Sequence, residues 1–370
     1  MKQFCMVVVL FIAQLTLAQE EEKVRECLLN YIEGTSYNKT TLIDKSFEKD
    51  ADLFLTKSND DLWKVSASEY SSWFSKSIEG SFNGRIGNIL SIDIFGSIAT
   101  AKVEIRLPAK EIIYIDMFLL KKINKEWKII SKSADSKAEK VTKNRILFIV
   151  SNAHYYGGTN LPTGNSYSEI VNAYHTFKKA GYMVDFVSPK GGSIPLAYIN
   201  TSDLLQKHYL YDADFMYAIK NTKQPSKIMA KDYKAVHYIG GGSAMFGVPE
   251  NEAIQKLVMS IYEEYGGIIS SVCHGTAGIV HLKTKDGKYL VDGKTVNGYP
   301  DAYEREGADY FNTFPFLITK TIEERGGIFK YSPRNSVHVE EDGNLITGQN
   351  YLSSEHVAKR IIDKLNKQDN

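Results

Sequence analysis

The chain has 370 residues, 45 Lys and Arg against 44 Asp and Glu, a formal net charge of +1, and an ordinary globular share of 43% hydrophobic residues. That length exceeds one typical domain and calls for two separate cores. The even charge balance excludes nucleic acid as a partner and argues against a polybasic membrane-binding face.

Met1-Lys2-Gln3 carries one positive charge and precedes an apolar run from Phe4 to Leu17, which gives way to Gln19-Glu20-Glu21-Glu22. The run is shorter than a membrane span needs, and Thr16-Leu17-Ala18 offers the small residues that a signal peptidase reads. Residues 1–18 are therefore expected to be a signal peptide cleaved after Ala18, with an uncleaved anchor as the alternative. Export follows, to the periplasm or the extracellular space if the source is bacterial, with no membrane span left after cleavage. Cys5 leaves with this segment and lies at the start of the run, where it does not suit a lipoprotein. Only Cys27 and Cys273 remain, in different expected domains, so no disulfide is expected between them.

Val24, Cys27, Leu28 and Tyr31 fall at helical spacing before a stop at Gly34. Strand-like runs follow at Ile89 to Ile94 and Ile98 to Ile105, around Gly96, and at Ile112 to Lys121 and Trp127 to Ser131, around Asn124-Lys125-Glu126. A helix followed by an antiparallel meander indicates an α+β cone over about residues 20–135. The polar, aperiodic stretch from Ser131 to Lys140 suits a linker, placed at 136–144 between the two domains. From Arg145 the pattern alternates strand and helix. Arg145 to Ser151, Met183 to Ser188, Ala235 to Ile239 and Ile268 to Val272 read as strands, and Glu169 to Ala180 and Asn251 to Tyr265 as helices. Such alternation over 145–366 implies an α/β domain with a doubly wound parallel sheet, its ligands beyond the carboxyl ends of the strands.

Three segments converge on those ends. Cys273 stands between the apolar strand and the small-residue segment Gly275-Thr276-Ala277-Gly278, the pattern of a nucleophile elbow. A helix starting there would favour thiolate; the opposing reading is a buried, inert cysteine. Gly240-Gly241-Gly242 lets main-chain N–H groups approach a substrate oxygen, so Gly241 and Gly242 with the amide of His274 could form an oxyanion hole, where a plain turn is the other reading. Glu169 places a carboxyl at a helix start, which by itself is only a favourable charge.

These stretches in combination carry a resemblance. Thr163-Gly164 through Glu169, Phe177 through Ser188, Val272-Cys273-His274-Gly275, Asn297 through Glu304, and Asp342 through Asn350 together resemble the ThiJ/PfpI superfamily from Arg145 to about Leu365. Within it the likeness is to the glutathione-independent glyoxalases, called glyoxalase III, and related stress-inducible chaperone-like proteins. Residues 20–135, including Leu62 through Tyr70, resemble the nuclear-transport-factor-two-like, or SnoaL-like, proteins and their putative lumazine-binding branch. The first resemblance implies a flavodoxin-like fold and a lyase that converts 2-oxoaldehydes such as methylglyoxal to 2-hydroxy acids. No cofactor, metal or glutathione is then required. It implies roles for Cys273 as nucleophile, His274 as its adjacent histidine, Glu304 as the acid orienting that histidine, with Asp301 a weaker candidate, and Glu169 as the carboxyl bonded to the thiol. A thiolate beside that carboxylate would be repelled, so one proton is expected to be shared between Cys273 and Glu169, raising the apparent pKa of the acid. Both resemblances imply a homodimer. The loop Gly241-Gly242-Ser243 departs from the Gly-His-Gly frequent in the glyoxalase branch and lacks its histidine. Competing readings are a class I glutamine amidotransferase, with His338-Val339-Glu340 as its only match to a distant His-x-Glu; a PfpI-type peptidase or amidohydrolase; and a non-catalytic redox-sensing or chaperone-like protein with a low-pKa Cys273.

Overall fold

The computed structural model describes residues 2–57, 61–138 and 144–368 and divides into two compact units, Met1–Val141 and Thr142–Asn370. In the first, a helix over Lys2–Ser36 and a second over Thr40–Ser46 precede a six-stranded sheet. Its order is Leu62–Ser66, Phe47–Thr56, Glu126–Ala138, Ile112–Ile123, Ile98–Leu107, Ile86–Phe95, antiparallel except where Phe47–Thr56 runs parallel to Glu126–Ala138. Alternate residues Ala99, Ala101, Val103 and Ile105 face inward, and Val24, Cys27, Leu28 and Tyr31 close over them from one stripe of the first helix. This is the expected α+β cone.

Two boundaries differ from expectation. The first helix passes Gly34 to end at Ser36, because a Cβ at Gly34 would meet Ile43 Cγ1 at 2.7 Å and the glycine serves close packing of the next helix. The linker expected over 136–144 begins inside a strand: Ser136, Lys137 and Ala138 pair with Tyr114, Ile113 and Ile112. Ser136 and Lys137 are polar because they are exposed there. Residues 139–143, and the side chains of the expected leader up to Leu17, lie outside what is described. Among the described residues no helix is long and apolar enough to cross a membrane.

The cone also buries charge. Lys132 Nζ lies 3.1 Å from Asp116 Oδ1, both side chains almost wholly buried, and the Tyr31 hydroxyl donates to Asp116 Oδ2 at 2.6 Å. Lys132→Met would leave the carboxylate without its ammonium partner, so the first unit is expected to lose about 3 kcal/mol. All three tryptophans, Trp63, Trp73 and Trp127, belong to this unit. Tryptophan fluorescence during urea unfolding therefore reports it selectively, and an unchanged midpoint would refute the expectation.

In the second unit the sheet order is Val339–Asp342, Leu345–Gly348, Ile268–Val272, Ala235–Tyr238, Arg145–Ile149, Met183–Val187, parallel except for the edge strand Val339–Asp342. Taken along the chain, the five parallel strands lie 2-1-3-4-5, the flavodoxin-like order. Every residue of Arg145–Ile149 is buried, as a parallel strand covered on both faces requires. Ile146 and Phe148 join one core with the helices Tyr167–Lys179 and Ser354–Gln368, whereas Leu147 and Ile149 join another with the helix Glu252–Glu263. The three-layer sandwich expected from the alternating pattern is thus present, and its carboxyl edge carries the site.

Candidate active site

Cys273 follows the last residue of the strand Ile268–Val272 with φ of +55°. A positive φ is uncommon for a residue with a side chain and costs on the order of 1–3 kcal/mol. That backbone turn is the elbow the sequence indicates. The segment after it, Cys273–Ile279, is a 3-10 helix rather than an α-helix, so the helix-terminus argument for a low thiol pKa does not apply. Burial pushes the thiol well above its ordinary value, and the neighbouring Glu169 charge adds to the rise, although the His274 amide opposes it. The resting sulfur is a protonated thiol.

Glu169 lies in the first turn of the helix Tyr167–Lys179 and is buried. Its Oε2 accepts the Gly240 amide at 2.9 Å. Burial raises this carboxyl from 4.5 to about 7, against hydrogen bonds from Gly240, Cys273 and Ser166 that pull it down. Thiol and carboxyl are hydrogen-bonded, and near neutral pH, where Glu169 is part ionised, its carboxylate accepts the proton that the thiol keeps, so the two share it in that bond. A consequence for stability follows. The unfolded chain releases the Glu169 proton near 4.5, whereas the folded chain keeps it to about 7. The stability this group contributes is therefore complete below 4.5 and falls as pH rises through that window, by about 3 kcal/mol in total. Glu169→Gln is expected to remove the decline. Urea midpoints of the second unit across the window should fall less in the variant than in the parent, and parallel curves would contradict the shift.

On the other side of the sulfur, Cys273 Sγ is 3.6 Å from His274 Nδ1, and His274 Nε2 is 2.7 Å from Glu304 Oε1. Glu304 Oε2 accepts from the Tyr310 hydroxyl at 3.1 Å. The carboxylate fixes the proton of His274 on Nε2 and leaves Nδ1 as the base facing the sulfur. Asp301, the weaker candidate for this role, is engaged elsewhere: its two oxygens accept the amides of Thr319 and Lys320 at 3.0 and 2.9 Å and tie down the start of the helix Ile318–Glu324.

The glycine loop completes the wall. Gly241 has φ of +96° and lines the same cavity as Cys273, His274, Glu169 and Glu304. Gly242 is not among the lining residues: its Cα faces the Tyr156 hydroxyl and Thr163 Oγ1. Tyr156 thus fills the space that a side chain at 242 would need, and the expected pairing of Gly241 with Gly242 as substrate donors reduces to Gly241. His338 bonds Ser332 and Glu340 and does not line the cavity, so the His-x-Glu match to an amidotransferase falls away from the thiol.

Sequence reasoning missed a set of tyrosines. Tyr299 stacks on His274, with ring centroids 4.5 Å apart. Tyr156 stacks on Tyr310 at 5.4 Å, and Tyr198 takes a φ of +59° at the cavity wall. Tyr299, Tyr303 and Tyr310 lie within twelve residues of one another, and that local density in a chain with 23 tyrosines was the available signal. Among the described residues no group of three or more His, Cys, Asp or Glu could hold a metal ion.

Comparison with known proteins agrees with this geometry. Residues 19–134 match the family described as putative lumazine-binding, and residues 161–364 match the DJ-1/PfpI family. The chain is similar to glutathione-independent glyoxalase hsp3102 of Schizosaccharomyces pombe, 29% identical over 245 residues, covering 61% of this chain and 99% of the relative. It is likewise similar to glutathione-independent glyoxalase HSP31 of Saccharomyces cerevisiae, 29% identical over 238 residues, covering 60% and 98%. Among solved structures, the Rapid Encystment Protein of Francisella tularensis is 26% identical with a TM-score of 0.56, covering 59% of this chain and 97% of that one. Glyoxalase III from Candida albicans, at 23% identity and a TM-score of 0.55 over 60% and 97%, shares the fold. With an elbow cysteine, its adjacent histidine and the buried glutamate all inside a match that spans more than half of its length, the chain belongs to the DJ-1/PfpI family.

Proposed function

We propose that the second unit is a cysteine-dependent glyoxalase III-type lyase that converts 2-oxoaldehydes such as methylglyoxal to 2-hydroxy acids without glutathione. The observation that carries the reading is the arrangement around one sulfur: a carboxyl that shares its proton on one side and a glutamate-oriented imidazole on the other. The names of the curated relatives support it.

In this reading Cys273 Sγ forms a bond to the aldehyde carbon, C1, as its proton passes to Glu169. The developing oxyanion meets the main-chain amides of Gly241 and His274; the Gly240 amide is already given to Glu169. His274 Nδ1 removes the hydrogen of C1 as a proton, and the electron pair moves toward C2. The imidazolium, held by Glu304, returns that proton to C2 while Glu169 gives the proton it took from the sulfur to the C2 oxygen, leaving a 2-hydroxy thioester on Cys273 and an ionised Glu169. Glu169 takes a proton from the water that adds to C1, the C1–S bond breaks, and that proton passes from Glu169 to the leaving sulfur. The net change is one 2-oxoaldehyde plus one water to one 2-hydroxy acid, with no external oxidant or reductant.

The test is consumption of methylglyoxal by the chain from Gln19 onward in the absence of glutathione, with chiral analysis of the lactate. One enantiomer in excess is expected. Racemic lactate at the buffer rate would refute the proposal. Export belongs to the same proposal and is supported by the apolar run before Ala18. Mass spectrometry of the protein recovered from its native host is expected to give Gln19 as the first residue, and a retained Met1 would oppose it.

A further inference from the structure

The cavity around Cys273 has a volume of about 750 Å3, inside the roughly 300–1,000 Å3 range of sites that enclose drug-sized ligands. A three-carbon aldehyde leaves most of it empty. The wall is aromatic, with Tyr156 against Tyr310 and Phe314, and Tyr299 against His274. Flat faces of this kind receive planar bodies.

The charges of the wall point to one sign of ligand. Its acids are occupied: Glu169 shares a proton with Cys273, and Glu304 bonds His274 and Tyr310. Asp203 caps a helix through the amides of Leu205 and Gln206, and Glu355 pairs with Lys359 at 2.6 Å. Two arginines, Arg305 and Arg334, line the same cavity, and neither has a carboxylate partner among the described residues. The Arg334 guanidinium lies over the Tyr303 ring, 4.9 Å from its centroid. It donates to the Tyr299 hydroxyl at 3.2 Å and to the Tyr303 carbonyl at 2.5 Å. Two of its five N–H donors are thereby used to fix the guanidinium, one ring away from His274, and three are left for a ligand. A fixed, carboxylate-free guanidinium at the wall of an aromatic cavity is suited to bidentate recognition of a carboxylate.

We infer that the site takes an extended 2-oxoaldehyde with a planar body and a terminal carboxylate, the carboxylate held by Arg334 while the aldehyde meets Cys273. This rests on the glyoxalase reading above. The probes are methylglyoxal, phenylglyoxal and 4-carboxyphenylglyoxal, followed in the parent chain, Arg334→Ala and Arg334→Lys. The parent is expected to favour the carboxylated probe over phenylglyoxal in kcat/KM by roughly tenfold or more. Arg334→Ala should bring that ratio near one through KM, and Arg334→Lys should restore part of it. A second readout is independent of turnover: calorimetric titration of the Cys273→Ala chain with 4-carboxymandelate and mandelate, where roughly tenfold tighter binding of the former is expected. Methylglyoxal turnover with equal ratios in all three chains and equal affinities in the titration would overturn the inference and leave the glyoxalase reading intact. Absence of turnover with every aldehyde would overturn the glyoxalase reading and with it the assignment of an aldehyde substrate, while the titration decides the carboxylate site by itself.

Discussion

Cys273→Ala is expected to lower the rate of methylglyoxal isomerisation by about 10⁴-fold or more, to near the uncatalysed level, with the circular dichroism spectrum unchanged. The expectation follows from the covalent step: without the sulfur no hemithioacetal forms, and His274 has no bound carbon from which to take a proton. Ser166 and Ser168 also line the cavity, but neither stands at the elbow, and their hydroxyls bond each other at 3.2 Å. Cys273→Ser keeps a nucleophile in place and is expected to retain no more than a trace of activity, because a hydroxyl gives up its proton to the Glu169 carboxylate far less readily than a thiol does. Initial rates of lactate formation decide the matter. An alanine variant with more than about a hundredth of the parental rate would mean that the sulfur does not bond to the substrate.

Gly241→Ala carries the second large effect, and here the loss is of structure as well as rate. At φ of +96° the residue occupies backbone space that side chains rarely enter, and a Cβ there would collide with main-chain atoms: the Gly164 carbonyl oxygen, Ser166 N at 2.6 Å and Asn165 C at 3.0 Å. Main-chain atoms cannot rotate away as a flexible side chain can. Strain and collision together should cost about 3 kcal/mol, which for a unit of this size lowers its melting temperature by roughly 6–12 °C. Activity should fall with it, because the same shift moves Ser166, the residue before the helix that carries Glu169. Calorimetry that resolves the unit lacking tryptophan checks the first claim. An unshifted transition would show that the loop can relax.

The fold was legible where periodicity is strong and local. Val24, Cys27, Leu28 and Tyr31 spell one helix face, and the parallel strands read as short apolar runs between helices, so both architectures follow from the order of residues. The elbow was legible because small residues are obligatory after Cys273. What escaped detection depended on space rather than order. Ser136 and Lys137 look like linker because exposed strand residues are polar, and only pairing with Ile113 and Tyr114 reveals them. The roles of Asp301 and Glu304, three residues apart, were separable only once the amides of Thr319 and Lys320 were seen to claim the former. The shared proton and the raised Glu169 carboxyl were legible from an acid set beside a thiol, whereas the helix-terminus argument for a thiolate failed for a similar reason. Helix type and burial at Cys273 are consequences of packing, and the burial acts to keep the proton on sulfur.

One feature of the sandwich bears on how the site ages. Glu169 is carried by a helix whose apolar side, with Ile170, Val171 and Phe177, belongs to the core on one face of the sheet. The segment after Cys273 roots through Ala277, Ile279 and Val280 in the core on the opposite face. The shared proton is therefore a gauge stretched across the sheet, set by how two independent layers seat on it. A void opened in either layer, far from any substrate, changes the separation of acid and sulfur before it unfolds the chain. Catalysis should fade at lower temperatures than secondary structure does, and substitutions that tighten either layer should extend the working range of the site without touching a residue that lines it.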